Sequence, residues 1–276
     1  MSQLPEKMVL AAFVADALAH NKGGALSLQG EQMRILLENL HQEGEWNLKT
    51  YYLDWQAGMK HYNGLTDGAV RAVLSGAEEG RGFGESAVTS PDLSALGRIA
   101  PLVWLYQEDE EAMIHSVREC IGLTHRAPIV LEAAQIFART AFDMLAGEDL
   151  IPALRAVCDH MRDSPAADLI LQGMEESEIP TEEALRLFGP AATADQALPL
   201  LGHLLCRYAE DPVEGHRQNI AAGGDVVCRA SILGMLFGAY LGLGSLEPSW
   251  ILNLEHRTSL QHQMEWEEDL EDLVKV

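Results

Sequence analysis

Residues 219–250, NIAAGGDVVCRASILGMLFGAYLGLGSLEPSW, decide how this chain folds. Gly223 and Gly224 form a tight turn, Asp225 stands where a helix begins, and an apolar run follows until glycines and Pro248 close it. An aspartate at that point accepts hydrogen bonds from free backbone N–H groups and suits the positive end of the helix dipole. Gly234, Gly238 and Gly242 recur every four residues and so share one face of the helix. Glycine inside a helix costs ~1 kcal/mol relative to alanine, and close approach by another helix accounts for that cost. The reading is a central buried helix with the rest of the chain packed around it.

Working outward, nearly every other segment has helical periodicity. Segments 8–19, 31–42, 47–61, 66–80, 110–123, 128–146, 150–161, 166–176, 194–209 and 212–222 each place apolar residues at helical spacing. Thr66-Asp67 caps one start and Gly80 one end. Pro101 lies inside 94–107, so a kink or restart is expected there. The glycine-rich 80–84 segment has no strand before it and reads as a connector rather than a phosphate loop. Long runs of alternating Val, Ile and Thr are absent, so strands have no support. The fold class is therefore all-α and multi-helical: a single domain over residues 1–262, then an acidic tail or last helix over 263–276 that is solvated or docks on a partner.

The 276 residues are 47% hydrophobic and 22% charged, enough to build a core. A net charge of −23 excludes nonspecific nucleic-acid binding, which needs a cationic surplus. The four cysteines are scattered without a CxxC pair and read as small core residues. The apolar run 230–246 falls short of the roughly 18–20 residues a membrane span needs. The start, MSQLPEKMVLAAFVADALA, lacks the basic region of a signal peptide. A cytoplasmic protein with no nucleic-acid or membrane partner is expected. No GxSxG, HExxH, Walker A or kinase signature is present.

Five landmarks then fall in order. They are Ala15-Asp16-Ala17-Leu18-Ala19; Tyr51, Tyr52 and Trp55 followed by Tyr62-Asn63-Gly64-Leu65-Thr66; Arg98-Ile99-Ala100-Pro101; Thr124-His125; and the Asn219 to Trp250 stretch itself. In this order and spacing the chain resembles the ADP-ribosylglycohydrolase family, which includes the dinitrogenase-reductase-activating glycohydrolases and the J1 crystallins. The resemblance implies a compact all-α fold with two Mg²⁺ ions in a cleft and cleavage of the glycosidic bond between ADP-ribose and a modified side chain. Mg²⁺ of that kind demands near-octahedral oxygen ligands, here to orient a ribose diol and a water.

The departures fall on the metal ligands. Where the family has T-D-D-T before Q-M, this chain has Leu28-Gln29-Gly30-Glu31 before Gln32-Met33. Where it has D-x-D-T, this chain has Asp225-Val226-Val227-Cys228. Val227 has no donor, and a thiol suits Mg²⁺ poorly. The substrate loop G-N-G reads Asp92-Leu93-Ser94, and Asn21-Lys22-Gly23-Gly24 lacks the acid expected after the first landmark. No bound metal or other cofactor is expected. Asp225 is the remaining catalytic candidate, and Asp16, Arg98, His125 and Asp225 are the ligand-binding candidates. Each also has a structural reading: Asp225 as a helix cap, Asp16 as a hydrogen-bonded packing residue, and Arg98 and His125 as donors at helix junctions. Three functions follow: a catalytically degenerate family member binding an ADP-ribose-like molecule or a protein partner, an active hydrolase with a rearranged site, or a structural protein.

Overall fold

The computed structural model describes residues 3–21 and 24–267. Lys22, Gly23 and most of the acidic tail, residues 268–276, lie outside the described residues. Among the described residues fifteen α-helices follow one another. The first seven are α1 (Leu4–Asn21), α2 (Leu28–Glu43), α3 (Leu48–His61), α4 (Gly68–Glu78), α5 (Ala100–Leu105), α6 (Glu110–Gly122) and α7 (Pro128–Leu145). Next come α8 (Leu150–His160), α9 (Pro165–Glu175), α10 (Thr181–Phe188) and α11 (Ala194–Arg207). The last four are α12 (Pro212–Ala222), α13 (Val226–Leu241), α14 (Pro248–Asn253) and α15 (Arg257–Gln263). Two 3₁₀ turns, η1 (Ser94–Arg98) and η2 (Gly242–Ser245), complete the set. Among the described residues there is no strand, only the isolated bridges Val88–His125 and Asp92–Thr193. The all-α class read from the sequence holds.

α13 is the central helix, buried from Cys228 to Ala239. α1 lies directly against it, and its residues 8–17 are buried throughout. The shared glycine face makes that approach possible. A Cβ on Gly234 would sit 2.7 Å from Ala15 Cβ and 2.9 Å from Ala11 C, and one on Gly238 would sit 2.6 Å from Ala11 Cβ. Two backbones this close exclude water from the axis of the fold. The window Val226–Ser245 reaches 20 residues with a mean hydropathy of 1.7, longer than the sequence reading of 230–246. It therefore passes a membrane-span test by length and composition, yet 72% of it is buried inside the fold. Its apolarity belongs to a core helix.

The expected interruption at Pro101 takes the form of a restart: η1 ends at Arg98, and Pro101 sits in the first turn of α5. Capping follows the sequence. Asp67, Asn47, Ser27 and Asp225 each accept backbone N–H groups at their helix starts. Three of the cysteines are buried, whereas Cys206 is half-buried. Within the described part of the tail, Met264 and Trp266 are buried, so the polypeptide up to there is packed rather than solvated.

Candidate functional site

The site is organised on an extended strip, residues 88–94, that joins three parts of the fold. On one side Val88 N–H donates to Thr124 O and Arg126 N–H donates to Val88 O, both at 2.8 Å. On the other, Leu93 N–H donates to Ala192 O at 3.0 Å and Ala194 N–H to Pro91 O at 2.9 Å. The 190–193 segment in turn accepts Asp225 N–H at Pro190 O, 3.1 Å. The strip thus brings Asp92 within electrostatic reach of both His125 and Asp225, and Asp67 at the start of α4 reaches both as well.

Asp16 lies beneath the start of α2 and is fully buried. Ser27 donates to it twice, from N at 2.8 Å and from Oγ at 2.5 Å, and Ser231 Oγ of α13 lies 3.4 Å away. Ser27 Oγ in turn accepts the N–H groups of Gln29 and Gly30. Burial pushes the Asp16 carboxyl up to about 6, against the lowering effect of the Ser27 bonds. Gly30 is pressed onto this carboxylate: a Cβ there would fall 2.7 Å from Asp16 Cγ and closer still to Oδ2. No side chain fits at position 30 while Asp16 stays where it is.

Arg98 and His125 form the floor. Arg98 is buried and donates to Gln32 Oε1 at 2.7 Å, Cys120 O at 2.8 Å and Thr124 Oγ1 at 2.7 Å. Trp55 Nε1 donates to the same Gln32 oxygen at 2.9 Å. Arg98 therefore satisfies a carbonyl at the end of α6 and knits α2, α3, η1 and α6 together. Thr124 Oγ1 sits 3.0 Å from His125 Nδ1. Thr124 Oγ1 thus accepts from Arg98 and shares a hydrogen bond with His125 Nδ1. Burial, then the Arg98 charge, pushes His125 down to about 4, so the ring is neutral near pH 7. Gln32, Asp67, Ser94, Arg98, Thr124 and His125 pack around a gap too small to admit a water molecule.

Asp225 caps α13 through Cys228 N–H, which donates to Oδ1 at 3.2 Å. Burial raises its carboxyl, and the Asp92 and Asp67 charges add to this against the opposing N–H bond. Gly224 has a φ of 68° and touches Pro190, so the turn admits no side chain. Behind the turn lies Arg229, fully buried on α13. Its guanidinium donates to Asn219 Oδ1 at 2.8 Å, Pro190 O at 3.3 Å and Gly223 O at 2.7 Å. Sequence reasoning did not single out Arg229, although one charge in an otherwise apolar helix was a signal for it. Asp67 and Asp92 were likewise not read as neighbours of Asp225, because their meeting depends on the tertiary path of the 88–94 strip.

The model of one family, ADP-ribosylglycohydrolase, matches residues 3–275. The chain belongs to the ADP-ribosylglycohydrolase family. A solved structure described as an ADP-ribosylglycohydrolase-related protein complex superposes with a TM-score of 0.77 at 23% identity, covering 95% of this chain and 97% of that one. That likeness shows the shared fold. None of the curated proteins matches significantly.

The Mg²⁺ pair of ADP-ribosylglycohydrolases does not fit the donors present. Leu28 and Val227 offer no donor atom and Gly30 no side chain, and Gln29 brings a neutral amide where the family has a carboxylate. The Cys228 thiol is held far above its usual range by burial and stays neutral. Among the described residues no three His, Cys, Asp or Glu side chains stand close enough to hold a metal ion. Asp225 alone remains of the set, with one oxygen committed to its helix.

Proposed function

We propose that this ADP-ribosylglycohydrolase-family protein is catalytically degenerate: it keeps the helical fold and has exchanged metal-dependent glycoside cleavage for binding. The observation that carries this is the loss of both facing ligands. In the resemblance to the family, position 30 takes a metal-ligating aspartate. Here it is Gly30, which offers no side chain, and Val227 removes the facing carboxylate on α13.

The closed interior favours this reading over a nucleotide-cleaving cleft. Sites for drug-sized ligands span roughly 300–1,000 Å³, whereas the space between Asp67 and His125 has no room for a water molecule. Two assays test the proposal. Calorimetric titration with Mg²⁺ is expected to give no saturable heat, and arginine- and serine-linked ADP-ribosylated proteins are expected to release no ADP-ribose. Tight two-site Mg²⁺ binding, or release that Asp225→Asn abolishes, would overturn it in favour of an active hydrolase.

A further inference from the structure

The glycine-rich loop 80–84 forms one wall of a second cavity, of about 220 Å³. Leu48 at the start of α3, Leu123 just past the end of α6 and Leu131 in the first turn of α7 make its apolar floor. Phe83 makes its side: the ring is 43% exposed and packs edge-to-face on Tyr52 at 4.8 Å, which holds that wall in place. Gly122 keeps the opening clear, because a Cβ there would meet nothing within 4 Å. The volume lies below the roughly 300–1,000 Å³ of drug-sized sites, so a ligand is limited to about one ring or a short alkyl chain. None of these residues belongs to the gap around Arg98 and His125.

Arg126 stands at the rim of this apolar space. Its backbone N–H is fixed on Val88 O at 2.8 Å, and its side chain is exposed. Gly84, at a φ of 66°, lets the guanidinium lie over the loop: a Cβ there would sit 3.0 Å from Arg126 Nη2 and 3.0 Å from Gly122 O. Elsewhere arginines meet acceptors. Arg34, Arg139, Arg186 and Arg217 pair with carboxylates, and Arg98 and Arg229 donate to carbonyls. Among the described residues the Arg126 guanidinium makes no hydrogen bond and no ion pair. The carboxylate in the lining, Glu119, is engaged instead by Trp46 Nε1, which donates to its Oε2 at 2.8 Å. An unpaired cation above hydrocarbon is complementary to an anion with an apolar body. One guanidinium balances one negative charge, and the net charge of −23 penalises a second. A carboxylate therefore fits better than a dianionic phosphate.

We propose that this cavity binds a small monocarboxylate with an apolar body, its carboxylate on the Arg126 guanidinium and its ring or alkyl chain between Phe83, Leu48, Leu123 and Leu131. The test titrates phenylacetate, phenylacetamide and acetate calorimetrically into the full chain at low ionic strength. Phenylacetate is expected to bind at one saturable site. Phenylacetamide has the same shape without the charge and is expected to bind about fivefold more weakly, as is phenylacetate to Arg126→Gln. Acetate lacks the apolar body and is expected to give no saturable heat. Gly122→Leu puts a side chain into open space at the cavity, so it is expected to keep the melting temperature and to abolish phenylacetate binding. No saturable phenylacetate heat with the wild type, an amide that binds as tightly as the acid, or unchanged phenylacetate affinity in either variant would overturn the carboxylate site. Each of these outcomes leaves the degenerate-site reading standing, since the two regions share no residue; that reading falls only to the Mg²⁺ and ADP-ribose assays.

Discussion

Asp16 and His216 are buried titratable groups that pull the stability curve in opposite directions. The folded-state carboxyl of Asp16, at about 6, lies above its ordinary value of 3.8. The fold therefore favours the protonated form, and that contribution is complete below pH ~4 and lost as pH rises through 6. The span is about 3 kcal/mol. Asp16→Asn is expected to remove this slope, so the stability of wild type relative to the variant falls between pH 4 and 8 in urea unfolding; any constant offset reflects altered bonds to Ser27. His216 is buried against the Phe237 and Trp250 rings, at 5.5 and 6.0 Å, and its Nε2 has no partner. Burial pushes it down to about 4 from 6.5. The fold here favours the neutral ring, so stability is complete above pH 6.5 and lost as pH falls through about 4. His216→Phe keeps the ring contacts and is expected to gain up to about 3 kcal/mol over wild type on going from pH 7.5 to 4.

At the scale of the element, α13 is both the core of the fold and the carrier of the Asp225 turn at its head. Its glycine face sets the distance to α1, and the same face places Ser231 beside Asp16. Gly234→Leu is expected to destabilise by about 3 kcal/mol or more, because the added side chain meets the Ala11 backbone. Gly244→Ala in η2 has nothing within 4 Å of its Cβ and is the control, expected to change the melting temperature little. Equal effects of the two would show that the α1–α13 approach is not limited by glycine. Arg229 explains what holds the Gly-Gly-Asp turn. Its buried guanidinium ties Asn219, Pro190 and Gly223 into one unit, so the turn is held by hydrogen bonds from within the chain.

The whole molecule carries a net charge of −23. Self-repulsion of that size destabilises the compact state, and salt screens it with a Debye length of about 10 Å at 0.1 M. Moderate salt is therefore expected to raise the melting temperature near pH 7, and the gain is expected to shrink as pH approaches the pI of about 4.7. A gain that does not diminish toward that pH would assign the salt effect to something other than net charge.

The sequence by itself determined the all-α class, the central helix, its glycine face, the caps at Asp67 and Asp225 and the absence of carboxylates at Leu28, Gln29, Gly30 and Val227. These depend on periodicity, local hydrogen bonding and the chemistry of single side chains, all of which are written along the chain. Tertiary structure alone decided that Asp16 fills the place beside Gly30, that Arg98 and His125 share Thr124, and that Asp67 and Asp92 come within electrostatic reach of Asp225. Those contacts join positions up to 215 residues apart, as Asp16 and Ser231 show. No local propensity encodes such a meeting; it is set by how the helices pack and by the path of residues 88–94 between them.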